Sequence, residues 1–148
     1  MKRIIAIMFM LILLVPTVCL AADAWVVNHV MADKIESTPG VGCLVTGLTS
    51  VQFEIPAGHP VGRHQFSTLD QLLFQAGNFK VEQRIVEDAT GQIVAAFKPN
   101  SIQVKNNQEI RHFNIAWDFA ARAGMYTYQV FVDDQLIGAF KISILAGK

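Results

Sequence analysis

From Arg111 to Leu145 the hydrophobic positions recur at every second residue. Phe113, Ile115, Trp117 and Phe119 alternate with polar or small residues, and Tyr126, Tyr128, Val130 and Val132 repeat the pattern after Gly124. Leu136, Phe140, Ile142 and Ile144 then return with the same spacing. Side chains of an extended chain point alternately to opposite faces, so each run predicts a strand with one buried face. The last two runs meet at Asp133-Asp134 as a hairpin. This pattern assigns Phe113, Trp117, Tyr126 and Phe140 to a core, and Phe53 joins them from an earlier strand.

That earlier strand is read from Val51, Phe53 and Ile55, which alternate with Gln52 and Glu54 and stop at Pro56-Ala57-Gly58. Phe79, Val81 and Ile85 share a face, Asp88 to Gly91 turns, and Ile93 to Phe97 returns. Gly91 can supply the positive φ that a short hairpin turn needs. Pro99-Asn100-Ser101 breaks the chain, Ile102 and Val104 allow a short strand, and Asn106-Asn107 is a further turn. Ser37 to Gly42 and Ala57 to Gln65 read as loops from their Gly, Pro and His content.

Two segments fit more than one period. Between Asp23 and Glu36 the β-branched residues favour a short edge strand. Val27, Val30, Met31 and Ile35 also fit a helical stripe. Ser67 to Gly77 is evenly balanced. Ser67 with Asp70 matches a capping box, with Gly77 just past the end of a short helix near 68–76. As a strand, the same segment turns Leu72 and Phe74 inward. The whole gives roughly six to eight short strands about ten residues apart, which is the rhythm of an all-β antiparallel β-sandwich. A parallel α/β sheet needs a long helix between strands, and none is predicted.

The first residues do not belong to this pattern. Lys2 and Arg3 precede an unbroken apolar run from Ile4 to Val15, Pro16 interrupts it, and Ala21, Ala22 and Ala24 follow. This is the layout of a secretory signal peptide over 1–21. The run is short for a bilayer core of ~30 Å, so no transmembrane segment is expected in the mature chain. The division expected is a leader at 1–21, an N-terminal segment and loop at 22–42, and the sandwich at 43–148. Pro16-Thr17-Val18 before Cys19 lacks the residues of a lipoprotein signal, which argues against lipidation there. Removal of the leader leaves Cys43 as the remaining cysteine, without an intrachain disulfide partner. Its apolar neighbours Leu44 and Val45 predict burial. The whole chain carries 12 basic and 12 acidic residues. Since Lys2 and Arg3 leave with the leader, the mature net charge is about −2, and no basic run exists for nucleic acid.

Around Trp117 and Gly124-Met125-Tyr126 the chain resembles bacterial immunoglobulin-like and fibronectin-type-III-like modules of exported proteins. The hairpins at Ile85 to Val94 and Val130 to Phe140 share in that likeness, which covers about Phe79 to Leu145. The resemblance implies an immunoglobulin-like sandwich of about seven strands. It also implies a corner role for Tyr126, with its ring buried and its hydroxyl bonded to nearby backbone. The chain lacks the cysteine pair of antibody domains. Function does not follow from the fold.

Candidate chemistry is sparse. His59 and His64 are the one close histidine pair, and their spacing matches no metal motif. No nucleophile elbow occurs, and Cys43 has apolar neighbours that blunt a thiolate. Glu87-Asp88 and Asp133-Asp134 sit where hairpin tips are predicted, as turn residues. Gly40 to Gly47 misses both the dinucleotide and the P-loop spacings. His112, opposite Phe113 in its strand, is placed on the wet face. The expectation is therefore a non-enzymatic periplasmic or secreted module, without a cofactor, that binds an envelope protein or a surface glycan. Its candidate contacts lie in the loop bearing His59, Arg63, His64 and Phe66. The alternative is a periplasmic metal-binding protein using His59, His64 and His29.

Overall fold

The structure is a computed structural model and describes residues 23–38, 42–48 and 52–147, with side chains for 23–36 and 52–147. The leader expected at 1–21 with Cys19, and the surroundings of the Cys43 side chain, lie outside the described residues. Among the described residues ten strands follow in order: β1 (Ala24–Thr38), β2 (Gly42–Leu48), β3 (Gln52–Ile55), β4 (Gly62–Phe74), β5 (Gly77–Glu87), β6 (Ile93–Ala96), β7 (Asn100–Val104), β8 (Glu109–Ala121), β9 (Gly124–Val132) and β10 (Gln135–Ala146). They form two sheets. One has the order β2-β1-β4-β8. The other runs β3-β10-β9-β5-β6, with β7 also paired to β5. All pairs are antiparallel except β3 with β10. The fold is a β-sandwich, and no helix occurs among the described residues.

The alternation read from the sequence fills the space between the sheets. Phe66, Leu72, Phe74, Ile115, Trp117 and Phe119 enter from the four-stranded sheet. Phe79, Val81, Ile85, Tyr126, Tyr128, Val130, Ile142 and Ile144 enter from the other. Phe53, Phe113 and Phe140 are partly buried against this cluster, and Trp117 and Tyr126 lie inside it. His112 is exposed, on the face opposite Phe113.

Several expectations need correction. The segment near 68–76 is strand, not helix. β4 runs through it to Phe74, because Phe66, Thr68, Asp70, Leu72 and Phe74 all turn inward at period two. The expected loop from Ala57 to Gln65 ends at Val61, where β4 begins. β1 is neither short nor at an edge, since β2 and β4 flank it on its two sides. Its mixed periodicity has a physical cause: a register shift between Val26 and Asn28 inserts one residue. Ala24 and Val26 pack inward before this bulge, and His29 and Met31 face inward after it. Leu136 does not share a face with Phe140, Ile142 and Ile144. A second register shift between Leu136 and Gly138 leaves Leu136 48% exposed and packs Ile137 against the core instead.

Asp133 and Asp134 both have positive φ, 48° and 64°, which is the geometry of a tight two-residue hairpin turn. Beyond its last pairing with β4 at Ala32, β1 continues with β2 alone. There Ile35, Ala32 and Leu69 make a small second cluster, and Asn114 Nδ2 donates to the Ile35 carbonyl at 3.0 Å. This end of β1 therefore packs against Leu69 of β4 and is tied to Asn114 of β8.

Candidate functional site

Three connections meet at one end of the sandwich: β3 to β4, β5 to β6, and β8 to β9. Between them lies an open cleft of about 430 Å³ lined by Pro60, Val61, Glu87, Gln92, Val94, Ala120, Ala121, Arg122 and Tyr126. The β8–β9 connection crosses from one sheet to the other in two residues. Tyr126 fixes that crossing, because its ring is buried and its hydroxyl donates to the Arg122 carbonyl at 2.9 Å. This is the role that the resemblance implied for it.

Arg122 is then oriented from a second side. Its Nε donates to Glu87 Oε1 at 2.9 Å, while Thr90 Oγ1 donates to the other Glu87 oxygen at 2.5 Å. The Thr90 hydroxyl, and after it Arg122, hold the Glu87 carboxyl below the usual carboxylate range against the opposing effect of burial. The neighbouring Asp88 points elsewhere, accepting from Lys141 Nζ at 2.6 Å and Thr127 Oγ1 at 2.5 Å. The two carboxylates engage different partners and do not form a pair. Asp133 is likewise committed, with Oδ1 accepting from the Lys80 backbone N–H at 2.8 Å.

The four residues expected to form a binding loop separate. His59 is exposed in the β3–β4 connection, with its N–H on the Pro56 carbonyl at 3.2 Å. Arg63 lies on the outer face of β4 and makes a two-pronged ion pair with Asp118, at 2.6 and 2.5 Å. His64 and Phe66 are buried instead, because strand alternation turns them into the core against Phe53 and Phe119. Burial lowers the His64 pKa, with a hydrogen bond to the Ala121 backbone acting the other way. His29 is also held elsewhere. It stands opposite Asp70, six residues along β4 from His64, or about 20 Å. The structure thus does not bring His29, His59 and His64 together. No group of three or more His, Cys, Asp or Glu able to hold a metal occurs among the described residues.

Sequence reasoning missed a polar network between the sheets. Asp70 is fully buried and accepts from His29 Nδ1 at 2.6 Å, from the Tyr128 hydroxyl, and from Gln83 Nε2 at 3.4 Å. His29 stacks on Phe140 with ring centroids 3.8 Å apart. Trp117 Nε1 donates to Thr68 Oγ1 at 2.9 Å beside it. Tyr128 and Gln83 belong to one sheet and Asp70 to the other, so these bonds tie the layers together. Burial, and then the charge of Asp70, push the Tyr128 hydroxyl pKa far above the tyrosine range. Thr68 and Asp70 fall two apart, in phase with Leu72 and Phe74, which is the signal that a strand reading of this segment would have used.

A second exposed surface lies on the four-stranded sheet. Trp25, Leu73 and Ile110 are aligned across β1, β4 and β8, and Asn28, Gln71 and His112 form the next outward row. Trp25 and Ile110 are 38% and 50% exposed.

No family model matches the chain, and no curated protein matches it. Among solved structures it is similar to the alkylpurine DNA glycosylase AlkC of Pseudomonas fluorescens, bound to DNA containing an abasic site analog. The TM-score is 0.53 at 12% identity, covering 86% of this chain and 32% of that one. It is also similar to the C-terminal domain of wzt, with a TM-score of 0.54 at 9% identity, covering 85% of this chain and 75% of that one. The chain therefore spans about a third of the glycosylase's length. At such identities the likeness shows the fold alone, and that fold is a mainly-β domain.

Proposed function

We propose that the chain is an exported, non-enzymatic module of immunoglobulin-like type that holds a second envelope protein in its end cleft. The observation that carries this reading is the cleft itself. It combines apolar walls from Pro60, Val61, Val94, Ala120 and Ala121 with an arginine held in place by Glu87 and Tyr126. Few convergent polar groups in an apolar concavity make a binding site. The tyrosine corner supports the immunoglobulin-like assignment, and the leader-like pattern of residues 1–21 supports a periplasmic or secreted location. Among the described residues no helix is long and apolar enough to cross a membrane. For a non-enzymatic role, the support is that Glu87, Asp88 and Asp133 are each committed to structural partners.

The test is capture from a native envelope extract with the mature chain and with Val61→Glu. Val61 is half exposed at the cleft mouth, so this change alters the cleft rather than the core. A protein retained by the parent and lost with the variant, then rebound in purified form, is the expected result. Equal recovery by both forms refutes the cleft.

The Trp25 surface favours a second reading, in which a neutral surface glycan is bound. A flat aromatic can take the apolar face of a sugar, and the Asn28–Gln71–His112 row offers polar groups beside it. Loss of polysaccharide retardation in affinity electrophoresis on Trp25→Ala is the outcome this reading requires.

A further inference from the structure

Resting on the cleft reading above, we infer that Arg122 is its recognition group and takes the C-terminal carboxylate of a partner polypeptide ending in an apolar residue. Guanidinium groups recognise carboxylates through two parallel N–H donors in one plane. That recognition is strongest when the plane is already fixed. Here the Nε end is fixed by Glu87, and the backbone that carries the side chain is fixed by Tyr126. The terminal nitrogens of Arg122 have no hydrogen-bond partner among the described residues. Glu87 offers a cationic ligand little, because it is buried and each of its oxygens already accepts a bond, from Thr90 and from Arg122.

The free polar groups of the cleft are thus the arginine donors and the Gln92 side-chain amide, which is neutral and exposed. An anionic acceptor complements them. Around them the walls are Pro60, Val61, Val94, Ala120 and Ala121, so the acceptor must arrive on an apolar body. A chain end supplies this combination, since an apolar side chain stands one carbon from its carboxylate. A free inorganic anion leaves the walls unfilled, and an internal acidic side chain brings polar backbone on both sides.

The test uses N-acetyl-L-valine and N-acetyl-L-valinamide, followed by NMR on the parent chain. The acid is expected to shift the Arg122 Nε–H, the Gln92 side-chain amide and the Val61 and Val94 methyl groups. The amide should do so at least about 10-fold more weakly, which is a loss of one decade in affinity. Arg122→Lys, which keeps the charge and loses the fork, should weaken the acid similarly at an unchanged far-UV circular dichroism spectrum. Equal binding of acid and amide overturns the carboxylate assignment while leaving the cleft as a binding site. Shifts with glucuronate and none with N-acetyl-L-valine also overturn it. The cleft reading itself falls separately, if Val61→Glu leaves envelope capture unchanged.

Discussion

Removing one oxygen from the core, in Tyr128→Phe, isolates the polar tie between the two sheets. Tyr128 is completely buried, and its ring packs edge-on to Trp117 at 5.7 Å. Phenylalanine keeps that ring and opens no significant cavity, so the change reads out the hydroxyl alone. The hydroxyl donates to Asp70 Oδ2, whose other donor, Gln83 Nε2, stands at 3.4 Å. His29 serves the opposite oxygen. Oδ2 is therefore left with one long bond in a site closed to water. A hydrogen bond to a charged group contributes about 1.5–3 kcal/mol, and the lack of a substitute donor places this one toward about 2–3 kcal/mol. With a urea slope of about 2 kcal/mol/M, the midpoint should fall by about 1–1.5 M. Tyr126→Phe is the internal control. It removes a neutral bond to a backbone carbonyl, for which about 1 kcal/mol is expected.

The pH dependence adds a second readout. The folded-state pKa of Tyr128 is raised, so its contribution is complete below the unfolded value of about 10. Above that pH the unfolded chain ionises and the folded one does not. The parent then loses up to about 1.4 kcal/mol per pH unit from this group, and Tyr128→Phe does not. A midpoint for Tyr128→Phe within about 0.2 M of the parent, or a gap that stays constant as pH rises past about 10, refutes the network as a stabilising tie.

Three further outcomes follow from other parts of the fold. Trp117→Ala should cost about 3–5 kcal/mol in chemical denaturation, since it empties a buried site and strips Thr68 of its indole donor. Arg63→Ala should move the Asp118 carboxyl from about 2 back toward the ordinary ~3.9 in an NMR titration, because the Arg63 hydrogen bonds are the largest cause of its depression. Asp134→Gly should raise stability by about 0.5–1 kcal/mol, measured as a higher thermal midpoint, by removing a side chain from a left-handed position. Asp133 is left in place there because its carboxylate caps the Lys80 N–H.

Where alternation is unbroken, the sequence speaks clearly. The runs ending in Phe119 and Val132 have the faces that their period of two predicts, and the two turns at Gly91 and Asp133-Asp134 occur where their residues placed them. The failures have local causes. At Val27 and Ile137 a single inserted residue flips the face of everything beyond it, which turns a strand's pattern into something resembling a helix's. β4 was obscured differently. Thr68 and Asp70 occupy core positions, and polar residues inside a strand's buried face read from sequence as a cap or a wet face. Their partners His29, Gln83 and Tyr128 lie 13 to 58 residues away along the chain, so no local window could supply the reason for burying them. The same holds for the cleft. Pro60 and Val61 were within the expected binding loop, but Arg122 and Gln92 reach them only through the crossing of chains at the sandwich end.

The two tyrosines of β9 connect these levels. Tyr126 and Tyr128 are separated by one residue and share the inward face of the strand, yet their hydroxyls do different things. Tyr128 joins the sheets through a buried carboxylate, and Tyr126 anchors the backbone of the residue that arms the cleft. A connection anchored to a strand whose own face is locked by packing is held more precisely than a free loop. This arrangement separates the two roles experimentally. Tyr126→Phe should loosen Arg122 and weaken N-acetyl-L-valine with a small loss of stability, whereas Tyr128→Phe should do the reverse. If both variants lose binding in proportion to stability alone, Arg122 is held by the general rigidity of the end and not by the corner hydroxyl.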